Sequence, residues 1–414
     1  MYNDCDIVFL SGLFPPESEN EIINNSKISV EFAANSFQWK LVNGFILNNV
    51  KSFKIFNSLF VNSFPRGYKK FFIKTFDFKL PINDTIHKNV GFINLYYIRH
   101  FFKTMSLKPY IKKWAIEQND NKILLGYTAF NPTLELFKYA KQINPEINTC
   151  LIVPDLPQMC LGKNKLYNLF LNRTSLKMNQ YKSYIDSYVI LTEQMKEQLN
   201  ITNKYVLIEG IIDSNTISIS NKKEKSDIFK KIMYSGTLNK NYGIINLIQA
   251  FGKIDKENYQ LIICGTGDSK EIIEKFAKTD KRILYYGVCE QEKVLQLQKQ
   301  ATVLINPRQN DYEYTKYSFP SKNLEYLASG TPMIGYKLPG IADEYDQYIS
   351  YVENNTIDAL KDKMTEICEM PQEFLEDMGY RARQFVVSQK NEIVQANKIL
   401  DMMEFLHERK KRKV

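Results

Sequence analysis

The stretch Ala301–Tyr336, ATVLINPRQNDYEYTKYSFPSKNLEYLASGTPMIGY, decides how the chain is read. Thr302–Pro307 is a short apolar, β-branched run closed by proline, the pattern of a strand buried on both faces. From Ser321, directly behind that strand in this reading, the spacing of apolar residues turns helical. It stops at Gly330, a residue that ends helices because it enters the left-handed region without a Cβ penalty. Pro332–Tyr336 then reads as another strand. Strand, helix and strand in succession build a parallel sheet, and Lys322 and Glu325 stand three residues apart at the front of the helix.

The same rhythm spreads outward from this stretch. Upstream, strands are predicted for KIMYSG from Lys231, YQLIICG from Tyr259 and RILYYG from Arg282. Helices are predicted between them over Tyr242–Ile254, Asp268–Lys278 and Gln291–Ala301. In the first half the strand-like runs are DIVFLSG from Asp6, KILLGYT from Lys122, TCLIVPD from Thr149 and SYVILT from Ser187. Val30–Arg99, rich in Phe, Tyr and Lys, shows no clear period. Near-continuous apolar strands alternating with helices predict an α/β chain of two doubly wound, Rossmann-like domains in series. The boundary is placed near Tyr205, ahead of the polar stretch Ser218–Asp227. That gives domains over 1–205 and 206–390 and a final helix over 391–414, with Ile393, Ala396, Leu400 and Met403 on one stripe.

Composition excludes several classes of protein. The chain has 414 residues, 44% hydrophobic and 24% charged, which is enough apolar material for two cores and too much for a disordered chain. Its formal charge of +9 suits anionic partners, but the basic residues are spread out and form no nucleic-acid recognition motif. The six cysteines lie far apart and the three histidines have no metal-ligand spacing, so reduced core thiols are expected and a zinc site is not. Asp4 and Asp6 stand where a signal peptide would be positive, and no apolar run is long enough to cross a bilayer. A cytoplasmic protein, peripheral at the inner face of the membrane, is the expectation.

The predicted strands of the second half end in Gly236, Gly265, Gly287 and Pro307. Parallel strands put these ends on one edge of the sheet, where open α/β sheets bind ligands and helix N-termini favour anions. An isolated Lys–Glu pair at this spacing is an ordinary surface ion pair. At the carboxyl edge, Lys322 can instead neutralise a phosphate, and Glu325 can accept from two neighbouring hydroxyls, as on a ribose. A nucleotide diphosphate fits both residues.

With these residues in place, the chain resembles the retaining family 4 glycosyltransferases of the GT-B fold, especially bacterial members that build surface polysaccharides. The resemblance rests on FPSKNLEYLASGTPMI with YSGTLNKNYGIINLIQAF, LIICGTGD, ILYYGV, TVLINPR and LPGIADEY in family order, and more weakly on GLFPP and LIVPDLPQ. It implies two Rossmann-like domains facing a cleft, with the last helix crossing back to the first. It further implies a nucleotide sugar on the second domain, a UDP-sugar, and a saccharide or lipid-diphosphate-linked acceptor on the first, where Gly12 lies. The donor site implied is Gly236, Thr237, Lys240, Gly265, Gly267, Val288, Tyr317, Ser321, Lys322, Asn323, Leu324 and Glu325. Neither a metal nor any other cofactor is expected.

Three positions depart from the family pattern. Tyr317 stands where a second glutamate is common, Gly236-Thr237 and Tyr242-Gly243 replace a Gly-Arg and Lys-Gly phosphate pair, and Pro154-Asp155 replaces an acceptor-side histidine. Asp155 is therefore the candidate to orient or deprotonate the acceptor, with Lys322 supporting the leaving diphosphate. The same departures leave open a degenerate transferase acting as a nucleotide-binding structural partner, or a nucleotide-sugar epimerase. The cationic tail Arg409–Lys413, with YKKFFIKTF (Tyr68–Phe76) and KPYIKKW (Lys108–Trp114), is a candidate surface for anionic lipid.

Overall fold

Fully apolar strand runs need cover on both faces, and this requirement organises the computed structural model, which describes residues 4–28, 30–80, 83–119, 121–129, 132–156, 179–213 and 228–412. The predicted boundary segment Ser218–Asp227 and Lys413 lie outside the described residues. Two compact units form, one from Met1–Ile211 with Glu392–Val414, the other from Ile212–Asn391.

In the first unit the elements run β1 (Cys5–Ser11), α1 (Glu19–Asn25), α2 (Phe32–Leu47), β2 (Ser52–Asn57), β3 (Phe72–Ile73), β4 (Phe76–Leu80), β5 (Asn83–Asn89) and β6 (Phe92–Ile93). They continue as α3 (Arg99–Ile116), β7 (Asn121–Tyr127), α4 (Thr133–Ile143), β8 (Asn148–Val153), β9 (Ser187–Ile190), α5 (Glu193–Gln198) and β10 (Lys204–Leu207). The eight-stranded sheet has the order β10-β9-β8-β7-β1-β2-β5-β4, parallel except for the β4–β5 edge, and β3 and β6 form a separate antiparallel pair. Cys5, Ile7 and Phe9 of β1 pack with Leu41, Val42 and Phe45 of α2 and with Ala396, Ile399 and Leu400 of the final helix. Each of the larger buried side chains, the Ile, Leu, Val and Phe among them, contributes about 1.5–3 kcal/mol. On the opposite face Trp114 of α3 donates to the Asp6 carboxylate at 2.7 Å, and buried Lys122 reaches the same oxygen at 3.3 Å.

The second unit adds β11 (Lys230–Ser235), α6 (Ile244–Gly252), β12 (Tyr259–Cys264), α7 (Lys270–Thr279), β13 (Ile283–Gly287), α8 (Gln291–Gln300) and β14 (Val303–Asn306). After these come α9 (Ser321–Ser329), β15 (Met333–Gly335), β16 (Ile349–Tyr351), α10 (Ile357–Cys368) and α11 (Gln372–Gln389). Its six strands are all parallel in the order β13-β12-β11-β14-β15-β16.

Two expectations are corrected. Helix α9 does not follow its strand directly, because a 3-10 helix over Glu313–Lys316 intervenes. In α12 (Glu392–Lys411) Ala396, Leu400 and Met403 are buried as expected, but Ile393 is 41% exposed. The α12 backbone is tied at that point instead, where Asn48 Nδ2 donates to Ile393 O at 2.9 Å. Among the described residues no helix is long and apolar enough to cross a membrane.

Candidate active site

The carboxyl edge of the second sheet is built on glycine because its strand ends touch backbone to backbone. Gly236 N–H donates to Cys264 O at 3.0 Å and Gly265 N–H to Gly287 O at 2.7 Å. At Gly265, φ is +130°, and a Cβ there would lie 1.9 Å from Gly236 O, so only glycine fits. A Cβ on Gly267 would meet Leu238 O at 2.5 Å, which holds the GTGD turn against the next loop.

Helix α9 begins at this edge without a side-chain cap, since its N-cap is Pro320. Its first-turn N–H groups and dipole therefore favour an anion. Lys322 and Glu325 share one face. Nζ lies 3.1 and 3.0 Å from the two carboxylate oxygens, and the Lys322 Cε is 3.7 Å from where a Cβ on Gly236 would sit. Asn323 and Leu324 point the other way and are buried, Asn323 Oδ1 accepting from Asn306 Nδ2 at 2.7 Å. These two can offer a ligand only backbone groups. Ser321 and Thr237 are exposed, as is Lys240, whose backbone N–H is spent on Asp268 at 2.9 Å. Val288 is 75% exposed just beyond β13. Tyr317 ends the 3-10 helix, and among the described residues no hydrogen bond joins its side chain to Glu325.

Two residues of this site were not read from the sequence. Gln298, fully buried on α8, donates one N–H to Glu325 Oε1 at 2.6 Å and the other to Ser235 Oγ at 3.0 Å. Ser235 is itself clamped to the Tyr326 hydroxyl, donating its N–H at 2.8 Å and accepting at its carbonyl at 3.0 Å. Glu325 is thus aimed by a buried network. The second is Arg308, two residues past β14, with its guanidinium 4.1 Å from the Tyr242 ring centre. Its Nε is buried without a hydrogen-bond partner, and among the described residues no carboxylate pairs with it. A cation immediately after a strand end was the available signal.

The first unit has its own cavity of about 340 Å³ at the carboxyl ends of β1, β2, β7 and β8, within the usual size range of small-molecule sites. Gly12 lies in its wall, donating to buried Gln38 Oε1 at 2.8 Å, and Asp155 is exposed beside it. The protein around Asp155 desolvates its carboxyl and raises its pKa. Tyr127 is buried in the same wall, and its hydroxyl pKa is raised by burial and by the charges of Asp155 and Glu31. Thr128 holds φ +77°, a strained setting for a β-branched residue, with its N–H bound to Ile152 O at 2.9 Å.

Residues 215–385, inside the second unit, match the family model described as Glycosyl transferases group 1. The chain has the GT-B fold. The sucrose-phosphate synthase of Thermosynechococcus elongatus superposes with a TM-score of 0.60 at 13% identity, covering 97% of this chain and 99% of that one. A glycosyltransferase from Rickettsia africae ESF-5 gives 0.63 at 13% identity, with 96% and 98% covered. The pneumococcal O-GlcNAc transferase GtfA, solved with UDP and GlcNAc, gives 0.57 at 13% identity, with 96% and 98% covered. None of the curated proteins matches the chain by sequence. The group 1 match over residues 215–385, on this fold, supports a glycosyltransferase.

Proposed function

We propose that the chain is a retaining glycosyltransferase that moves a sugar from a UDP-sugar to a saccharide or lipid-linked saccharide during surface-polysaccharide synthesis. The observation that carries this reading is Glu325, held by buried Gln298 beside Lys322, Gly236 and the uncapped start of α9. In the reading, Glu325 exchanges Lys322 for the ribose hydroxyls, and Lys322 turns to the diphosphate. The Gly287–Val288 turn reads the base through its backbone, and Tyr317 borders the donor.

Retention would proceed on the front face through an oxocarbenium-like transition state, in which negative charge grows on the departing diphosphate. Positive charge and amides fixed in advance at that place lower the barrier. Lys322, Lys240 and the α9 amides supply them, and Arg308 adds to them without a metal. Where the resembling family has a lysine at position 242, this chain has Tyr242 with the Arg308 guanidinium over its ring, so the charge would enter from β14 instead. Asp155, its carboxyl pKa raised by its surroundings, is the candidate to orient or deprotonate the acceptor hydroxyl. The cavity beside it favours a transferase over an epimerase, which has no acceptor to bind.

Contact with anionic lipid is proposed for the face formed by β3, β6 and the start of α3, where Phe72, Tyr97 and Phe101 are 53%, 77% and 61% exposed. Several of the expected cations are engaged elsewhere. Lys70 pairs with Glu21, Lys69 donates to Asn24 O at 2.7 Å, and Lys410 donates to Glu146 O at 3.1 Å.

The test is titration calorimetry with UDP in excess chelator, followed by proton NMR of the product anomer with a panel of UDP-sugars. UDP binding and a product of the donor's anomeric configuration are expected. Binding that requires added magnesium, or an inverted product, would overturn the corresponding part of the reading.

A further inference from the structure

The cavity of the first unit has a second wall that the proposed transfer does not use. Arg99, His100 and Lys103 on α3 line it, together with Ser58 just past β2. Lys103 is only 7% exposed and has no carboxylate partner among the described residues. Its Nζ donates to Leu59 O at 2.9 Å and Ser58 O at 3.3 Å and lies 4.3 Å from the centre of the Phe92 ring, so its bonded partners are two carbonyls and an aromatic face, with no anion among them. Ser58 is 6% exposed, and its Oγ is buried with no hydrogen-bond partner. Buried polar groups find partners in stable proteins, so an idle hydroxyl beside a buried cation on a cavity wall points to a ligand atom. Burial and the charge of Arg99 hold the Lys103 pKa well below its usual value, a cost that an incoming anion would offset. Asp155 and Glu31 line the same cavity, and carboxylates accept from hydroxyls.

We propose that this cavity binds a phosphorylated saccharide, with the phosphate on Lys103, Arg99 and Ser58 and sugar hydroxyls toward Asp155 and Glu31. The proposal rests on the transferase reading and names the class of its acceptor. A phosphate on a soluble sugar and a phosphate tethered to lipid share this chemistry. Phe101 and Met105 on the outer side of α3, and Ile98 at its N-cap, are exposed, and a lipid-borne acceptor would bring them to the bilayer.

The experiment titrates the full chain with glucose 6-phosphate, glucose and UDP at fixed ionic strength. A parallel arm floats it with phosphatidylcholine vesicles with and without 20% phosphatidic acid, a probe level on the order of one lipid charge in five. Wild type is compared with Lys103→Met, Arg99→Gln and Ser58→Ala, the last chosen because it removes no existing bond. Glucose 6-phosphate should bind where glucose does not. Lys103→Met and Arg99→Gln should weaken it about tenfold or more, as for a lost hydrogen bond to a charged group, and Ser58→Ala about threefold, with UDP binding unchanged in all three. Retention only on phosphatidic acid vesicles, lost in the same variants, supports the proposal and assigns the lipid source. Failure of both phosphate probes, or equal binding by all variants, overturns it. Loss of UDP binding in the wild type would instead sink the donor reading, and the phosphate titration would still report on the cavity.

Discussion

Replacing Glu325 with glutamine separates a ligand-binding carboxylate from a surface ion pair, because the two roles predict effects on different observables. The Lys322 and Glu325 side chains are 39% and 36% exposed, and a pair that open to solvent is worth about 0–1 kcal/mol. Glutamine keeps an oxygen to accept from Gln298, now at 2.6 Å from Glu325 Oε1, so the buried network survives. Unfolding stability should therefore fall by less than about 1 kcal/mol. Ribose recognition changes more. Two charge-assisted bonds of about 1.5–3 kcal/mol each become neutral ones of about 0.5–1.5, a net loss of about 2–3 kcal/mol. That is about 30- to 160-fold in the UDP dissociation constant. Calorimetric titration with UDP and guanidinium unfolding of the same preparation measure both quantities. Unchanged UDP affinity would return the pair to the surface, and a loss of stability as large as the loss of affinity would make Glu325 a structural residue.

Gln298→Leu removes the bond that aims Glu325, so UDP binding should weaken about tenfold, and little more in the Glu325→Gln background; additive losses would show that the two act separately. Gly265→Ala forces a Cβ to within 1.9 Å of Gly236 O, and should cost at least about 2 kcal/mol of stability and UDP binding with it, read by thermal unfolding with and without UDP. An unchanged melting temperature would contradict the backbone contact. His87, buried between Phe53 and Phe78, is lowered from its ordinary 6.5 to about 4 by burial, so the native state holds it neutral. Its contribution is present above pH 6.5 and lost as pH falls through about 4, up to about 3 kcal/mol, and His87→Gln should flatten that part of the stability–pH curve. An unaltered slope would mean that His87 is not the group responsible.

How far the sequence could be read followed from how local each cause is. Strands such as Asn148–Val153 are buried at every position, and that need writes itself into consecutive residues. Val30–Arg99 was opaque for the opposite reason. Its β2 strand alternates half-buried and buried positions, β3 and β6 are two residues long, and its polar residues serve distant partners. Asn57 bonds Leu13 and Asn89, and Ser11 bonds Asn57, at separations no local pattern records. The stripe on α12 was legible from Ala396 onward, and Ile393 failed because the buried face starts on Glu392 and continues through Gln395 and Ala396, the first two being polar residues the apolar pattern could not show, which leaves Ile393 off that face.

The candidate site divides along the same line. Lys322 and Glu325 sit on one helical face, so their spacing alone places them together, and the strand-end glycines announce the edge they face. Gln298 is 27 positions from Glu325 and reaches it only because β14 inserts beside β11, bringing the end of α8 against α9. In sequence it is one more polar residue on an amphipathic helix. Lys103 is the sharper case. Its neighbours Phe101, Phe102 and Met105 suggest a helix that keeps its lysines in water, yet two of these three are exposed and the lysine is buried. The reversal is caused by the carbonyls of Ser58 and Leu59, which follow β2 beside α3 and require a donor. A cation drawn inward to satisfy backbone carbonyls brings more charge than they need, and it is this excess, beside an idle hydroxyl, that a phosphate would use.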